Sequence, residues 1–315
     1  MVIEKRPWFP TVFRLQGSVI PTIFPRVLLC SSFSCLVSLL YAWDVPVVWP
    51  VLGSFVPNVV SNLVLGLLLV FRTNTAYERY WEGRKCWGGL VVTVRNLARQ
   101  IRVAIAELEP ADREAKLAVL RLLGAFAIAT KLHLRQEPPN DELTHLVNSS
   151  QLKKLQAVKI PPLEIALWIG DYLQQQHQQG RLNADQLIAM NNLLNSLVEA
   201  LTGCERILRT PIPLAYAIHL KQLLLIYCLS LPFQLVDDLH WWTAAVVALI
   251  SFTLLGIEAI GIEIENPFGH DPNDLPLDEI CTTMLTHLED LIPLAAGDPA
   301  YICSWKIAPA EQLTD

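Results

Sequence analysis

Charge is the scarcest property of this chain: Asp, Glu, Lys and Arg make up 17% of its 315 residues, whereas 52% are hydrophobic and the mean hydropathy is +0.37. A soluble globular domain carries roughly 25% charged residues, so the balance points to a membrane protein. The seven cysteines form no C-x-x-C pair and are spread from Cys30 to Cys303. That pattern gives neither a disulfide framework nor a zinc site, and marks them as small buried hydrophobes in a reducing compartment. No H-E-x-x-H, G-x-G-x-x-G, P-loop or G-x-S-x-G is present, which removes the usual signatures of metalloprotease, nucleotide and hydrolase chemistry. The net charge of -6 and the absence of a basic patch interleaved with aromatics exclude nucleic acid as a partner.

What the chain does have is long runs free of charge. Between Arg26 and Asp44 lie 17 uncharged residues, and after Pro46 and Pro50 mark a turn, residues 45–71 form an uncharged run of 27. The two runs read as a first membrane hairpin over 24–72, its first leg short for a full span but lengthened if Arg26 snorkels. A second hairpin is expected over 210–262, its legs at 210–236 and 239–257, with Asp237, Asp238 and His240 at the turn and Lys221 as the sole interruption. Between them, residues 73–209 are polar and helical in pattern. Leu187, Met190, Leu194, Leu197, Leu201 and Cys204 recur at 3/4 spacing, and Asn183 with Gln186 supplies a start signal. Residues 263–315 form a C-terminal segment. Of the 24 Lys and Arg, 18 lie in 72–209 and neither hairpin turn has any. Basic residues stay on the cytoplasmic side, so both termini and the middle region are expected there.

FRTNTAYERYWEGRKCWGGL, residues 71–90, begins where the second uncharged run ends. Arg72, Arg79, Arg84 and Lys85 read as anchors for that helix end, with Tyr77, Tyr80, Trp81 and Trp87 as interfacial aromatics. Upstream, Leu63, Leu67 and Phe71 fall at i, i+4 and i+8, one apolar line along a helix, while Ser54, Asn58, Ser61 and Asn62 lie on roughly the opposite face. Periodicity alone leaves open which face meets water, lipid or a neighbouring helix. Farther on, Glu258, Glu263, Glu265, Asp271, Asp274 and Asp278 surround a Pro/Gly turn, which reads either as a hard-cation site or as an ordinary acidic turn. In TPIPLAYA, 210–217, Pro213 fixes a helix start and leaves Ile212 projecting at its mouth.

Three stretches, FRTNTAYERYWEGRKCWGGL with the following RNLARQ, TPIPLAYA, and IEIENPFGHDPNDLPLDEIC at 262–281, together resemble the bestrophins, in their bacterial and plastid branch. The likeness covers nearly the whole chain, so that residues 1–315 read as a single bestrophin-like unit. It implies an all-α membrane protein with four transmembrane helices plus a cytosolic helical domain, assembling as a homopentamer around a central pore. It also implies ion conduction and no catalysis. In the family, three apolar residues on the second span form a pore neck, the last of them eight residues before an Arg followed by aromatics. Here that Arg is Arg79, so the neck becomes Leu63, Leu67 and Phe71.

A cytosolic aperture falls on the apolar residue before Pro-Leu-x-Tyr, here Ile212. Animal bestrophins hold calcium at a clasp after an Asn-Pro-Phe-Gly turn. By that likeness Asn266, Asp271 and Asp274 are the candidate metal ligands here, for calcium or another divalent cation, although Pro272 and Asn273 interrupt the acidic run. The implied permeant ions are anions such as chloride and bicarbonate, and the implied setting is a bacterial inner membrane or a thylakoid-type membrane, with lipid as the surrounding partner. A cation-selective channel of the same fold and a non-conducting membrane scaffold are the alternatives.

Overall fold

The computed structural model describes Phe9, residues 12–45 and residues 59–291, with side chains in the last stretch from residue 62 onward. Every regular element among these residues is helical, as expected. In chain order they are α1 (Ile20–Ala42), α2 (Val59–Ala104), α3 (Pro110–Leu134), α4 (Ser149–Ala157), α5 (Pro161–Gln178), α6 (Ala184–Arg209), α7 (Leu214–Leu239), α8 (Thr243–Glu263) and α9 (Leu277–Leu291), with short 3-10 turns at Asp141–Leu143 and His240–Trp242. The described residues group into two compact units, one made of the chain up to Lys85 with Cys204–Leu275, the other of Cys86–Gly203 with the chain from Pro276.

In the first unit α1, α7 and α8 pack on one another. α1 starts at Ile20, ahead of Arg26, because Pro21 occupies the first turn, where a missing N–H costs nothing. Its 23 residues make a rod of about 34 Å, enough for a hydrocarbon core of about 30 Å. Ile23, Cys30, Ser34 and Val37 form its buried face. The break between α7 and α8 falls at His240, whose φ is 46°. There the Tyr41 ring stacks on His240 at 5.7 Å, and its hydroxyl donates to Asp237 Oδ1 at 2.7 Å, which fastens the end of α1 to the turn. The proposed turn at Pro46 and Pro50 lies outside the described residues. α2 does not stop where charge begins. It runs on to Ala104, 46 residues in all, or about 69 Å.

The second unit is built around α3, which packs against α5 and α9. Leu120, Leu123 and Phe126 are wholly buried in it. α3 is apolar and long enough to cross a membrane, as are α1 and the stretch Leu214–Glu263. Burial separates them: 78% of the most apolar part of α3 is buried within the protein, against 28% and 39% for the other two. An apolar helix inside the segment expected to be polar is thus a core helix, clad by its neighbours. α6 follows the sequence pattern closely. Met190, Leu197, Leu201 and Cys204 are buried, and Asn183 and Gln186 exchange backbone and side-chain hydrogen bonds of 2.8 and 3.1 Å in a capping box.

Candidate functional site

The apolar line on α2 is open. Leu63, Leu67 and Phe71 are 60%, 45% and 59% exposed. Leu65 and Leu69, offset from them on the helix, are 6% and 3% exposed and cluster with Leu220 and Leu224 of α7. The Tyr216 hydroxyl reinforces that contact by donating to the Leu68 carbonyl at 2.6 Å. α7 therefore takes the Leu65 and Leu69 face, and the Leu63, Leu67 and Phe71 line is left uncovered within one chain. Asn62 is exposed as well. Ser54 and Asn58, and the Ser61 side chain, lie outside the described residues.

Just below this line, one carboxylate gathers three separate stretches. Arg72, only 3% exposed, donates from Nη2 to Glu265 Oε2 at 2.6 Å. Glu265 Oε1 accepts the backbone N–H of Ile212 at 2.9 Å. Arg79 donates from Nε to the Glu265 carbonyl at 3.1 Å, from Nη2 to the Ile207 carbonyl at 2.6 Å, and from Nη1 to the Thr210 carbonyl. These carbonyls lie at or just past the C-terminal ends of α6 and α8, where a helix leaves acceptors unpaired and favours a cation. Burial pulls the Arg79 guanidinium below its ordinary value, and the Glu265 charge opposes that pull. Ile212, half-buried, is thus held by a hydrogen bond from its backbone N–H.

The acidic turn that follows Glu265 closes on itself. Asp274 Oδ2 accepts the Asp271 N–H at 2.8 Å, the Asp274 N–H reaches the Asp271 carbonyl at 2.9 Å, and the Leu275 N–H reaches the Pro267 carbonyl at 2.9 Å. Phe268 is fully buried beside Gly83, where a Cβ would come within 3.0 Å of both its ring and that of Pro267. Asn273 ties the turn to the N-terminal segment by donating to the Gly17 carbonyl at 3.1 Å and to Glu263 at 2.7 Å. Asn266, Asp271 and Asp274 are brought together, but one of the two carboxylates is engaged by the loop's own backbone. No cluster of three or more His, Cys, Asp or Glu placed to hold a metal occurs among the described residues. Calcium takes six to eight oxygen ligands, and the turn fits it poorly.

The chain matches the family model for the Bacterial/Fungal Bestrophin protein over residues 1–290. It belongs to the bacterial and fungal bestrophins. A voltage-dependent anion channel-forming protein of Nostoc sp. is 60% identical over 295 residues, covering 94% of this chain and 95% of its own. The protein of that description called YneE in Escherichia coli strain K12 is 34% identical over 287 residues, covering 90% and 91%. Among solved structures, the crystal structure of a bacterial bestrophin homolog from Klebsiella pneumoniae superposes with a TM-score of 0.77 at 32% identity, over 86% of this chain and 98% of that one.

In this bestrophin the charged stretch after the apolar line has a different role from the one its composition implied. Arg84 and Lys85 are exposed, as are Tyr77 and Trp81. Arg72 and Arg79, however, face protein, and Trp87 is fully buried. In this chain they bond to and pack against protein, where interfacial anchors would face outward. Pro213 caps α7 from just outside it, at φ -51° and ψ 127°, in place of the first helical position the sequence indicated. Sequence reasoning placed Glu265 in the acidic cluster but missed its part in joining Arg72 to the Ile212 backbone. Its signal was its place directly before the Asn-Pro-Phe-Gly turn.

Proposed function

We propose that this bestrophin is a homopentameric channel for anions of the chloride and bicarbonate class, with Leu63, Leu67 and Phe71 as the pore neck and Ile212 as the cytosolic aperture. The observation that carries the reading is the uncovered apolar line on α2: α7 fills the other face, so five copies of this one are free to surround an axis. A ring of Leu and Phe closes a water path by dewetting and has no charge of its own to choose an ion. Choice then rests on aperture width, helix ends and vestibule charge. The names of the relatives favour anions, while the net charge of -6 per chain favours cations. Four spans, with both termini and the α3-centred unit on the cytoplasmic side, complete the arrangement. The family and the names of the relatives support transport over catalysis.

Reconstituted in planar bilayers under a potassium chloride gradient, the protein is expected to carry current reversing near the chloride equilibrium potential. Reversal near the potassium potential would establish the cation channel. Protein that inserts and stays silent would leave the scaffold reading. Native mass spectrometry in mild detergent is expected to return the mass of five chains.

A further inference from the structure

Lys221 stands on a membrane helix with no ion-pair or hydrogen-bond partner among the described residues. A charge there is costly enough to require a reason. It borders an open groove of about 300 Å³ formed by α1, α7 and α8, which it shares with Arg26 and Glu258. Arg26 lies six residues after the start of α1, Lys221 seven after the start of α7, and Glu258 five before the end of α8. At 1.5 Å per residue the three sit about 8 to 11 Å from helix ends on one side of the unit, and so at one depth. Lys221, the lone interruption of an uncharged segment, is therefore level with the charges that bound the neighbouring spans.

Charge does not balance in the groove. Glu258, with its side chain 4% exposed, is 3.8 Å from Arg26 Nη1, whose side chain is half exposed and has donors to spare. One carboxylate thus faces two cations, and Lys221 remains uncompensated. The rest of the wall is apolar, with Leu29 and Leu225 more than half exposed and Leu255 beside them. A positive mouth above an apolar trough, its basic side chains long enough to snorkel from that depth toward the headgroups, complements the two-part chemistry of an anionic amphiphile.

We propose that this groove binds an anionic membrane lipid, Lys221 and Arg26 taking its phosphate and the leucine wall an acyl chain. The proposal rests on α1, α7 and α8 lying in the bilayer and is independent of conduction, so failure of the channel reading leaves it intact. The test is native mass spectrometry of the delipidated full-length protein, titrated with phosphatidylglycerol, phosphatidylcholine or inorganic phosphate. Phosphatidylglycerol adducts are expected to exceed phosphatidylcholine adducts, and to fall about fivefold in Lys221→Gln, the factor one Lys supplies at an anionic surface. Lys221→Arg should retain them.

Equal retention of the two lipids, or adducts unchanged in Lys221→Gln, would overturn the proposal. So would displacement of phosphatidylglycerol by inorganic phosphate, which marks a free-anion site, or a lack of any lipid adduct, the result expected if a second copy of the chain covers the groove. Should Lys221→Gln fail to fold, the wild-type protein decides. Its melting temperature is expected to be higher in phosphatidylglycerol than in phosphatidylcholine nanodiscs, and equality overturns the idea.

Discussion

Arg79 shows how one side chain can hold a junction. Its guanidinium satisfies carbonyls from α6, from the link to α7 and from just past α8, so Arg79→Ala leaves all three without a charged donor. The expected cost is about 3 kcal/mol, read as a lower melting temperature in detergent. Arg79→Lys should recover only part of it, since an ammonium cannot span the same fork. At the neck, Phe71→Ala and Leu67→Ala are expected to raise conductance severalfold in planar bilayers, because each shortening acts in every subunit of the ring and rewets it. Ile212→Thr should shift relative permeabilities by offering a hydroxyl to a partly dehydrated ion. Unchanged currents in all three would place the line against lipid. That Leu63, Leu67 and Phe71 share one face of α2 was legible because a helical line needs only short-range spacing, whereas their reading as a neck came from the family likeness and not from the pattern. The joining part of Glu265 was not legible, because its partners are 193 and 53 residues away in the chain, and no local pattern encodes such a meeting.

Helices were the readable part of this fold. The apolar period of α6 and its Asn183–Gln186 box gave that element almost to its ends, since caps and periodicity are both local. α3 was harder, because sequence cannot tell an apolar helix clad by protein from one clad by lipid; only its neighbours in space decide. The contact of α2 with the acidic turn is equally non-local. Gly83→Ala is expected to destabilise by about 1 to 3 kcal/mol, since the Cβ would press on the rigid Phe268 and Pro267 rings. Thermal melts beside a Gly89→Ala substitution on the same helix, where nothing lies within 4 Å of the added Cβ, provide the control. Calorimetric titration with calcium should give no heat from a turn already closed by Asp274. Heat abolished by Asp271→Ala would instead assign a divalent clasp to Asn266, Asp271 and Asp274.

Across the whole molecule, acid should act first on the α3-centred unit. There the Arg135 guanidinium, helped by Lys131, holds the Asp278 carboxyl down at about 2. An unfolded Asp titrates near 3.9, so this contribution is complete above about pH 4 and is lost as pH falls toward 2. Tryptophan fluorescence melts are expected to show that loss in the wild type, with the slope flattened in Asp278→Asn. Glu265 has a different consequence, one for descent. A single carboxylate serves Arg72 and the Ile212 backbone, while its own carbonyl serves Arg79. Lone changes at Glu265 or Arg72 strand a buried charge, so lineages should cross that barrier by paired replacement. Random mutagenesis from an impaired Glu265→Gln parent, selected for folded protein, should therefore return second-site revertants concentrated at Arg72 and around Ile212, and the order in which such changes arrive would decide which of them survive.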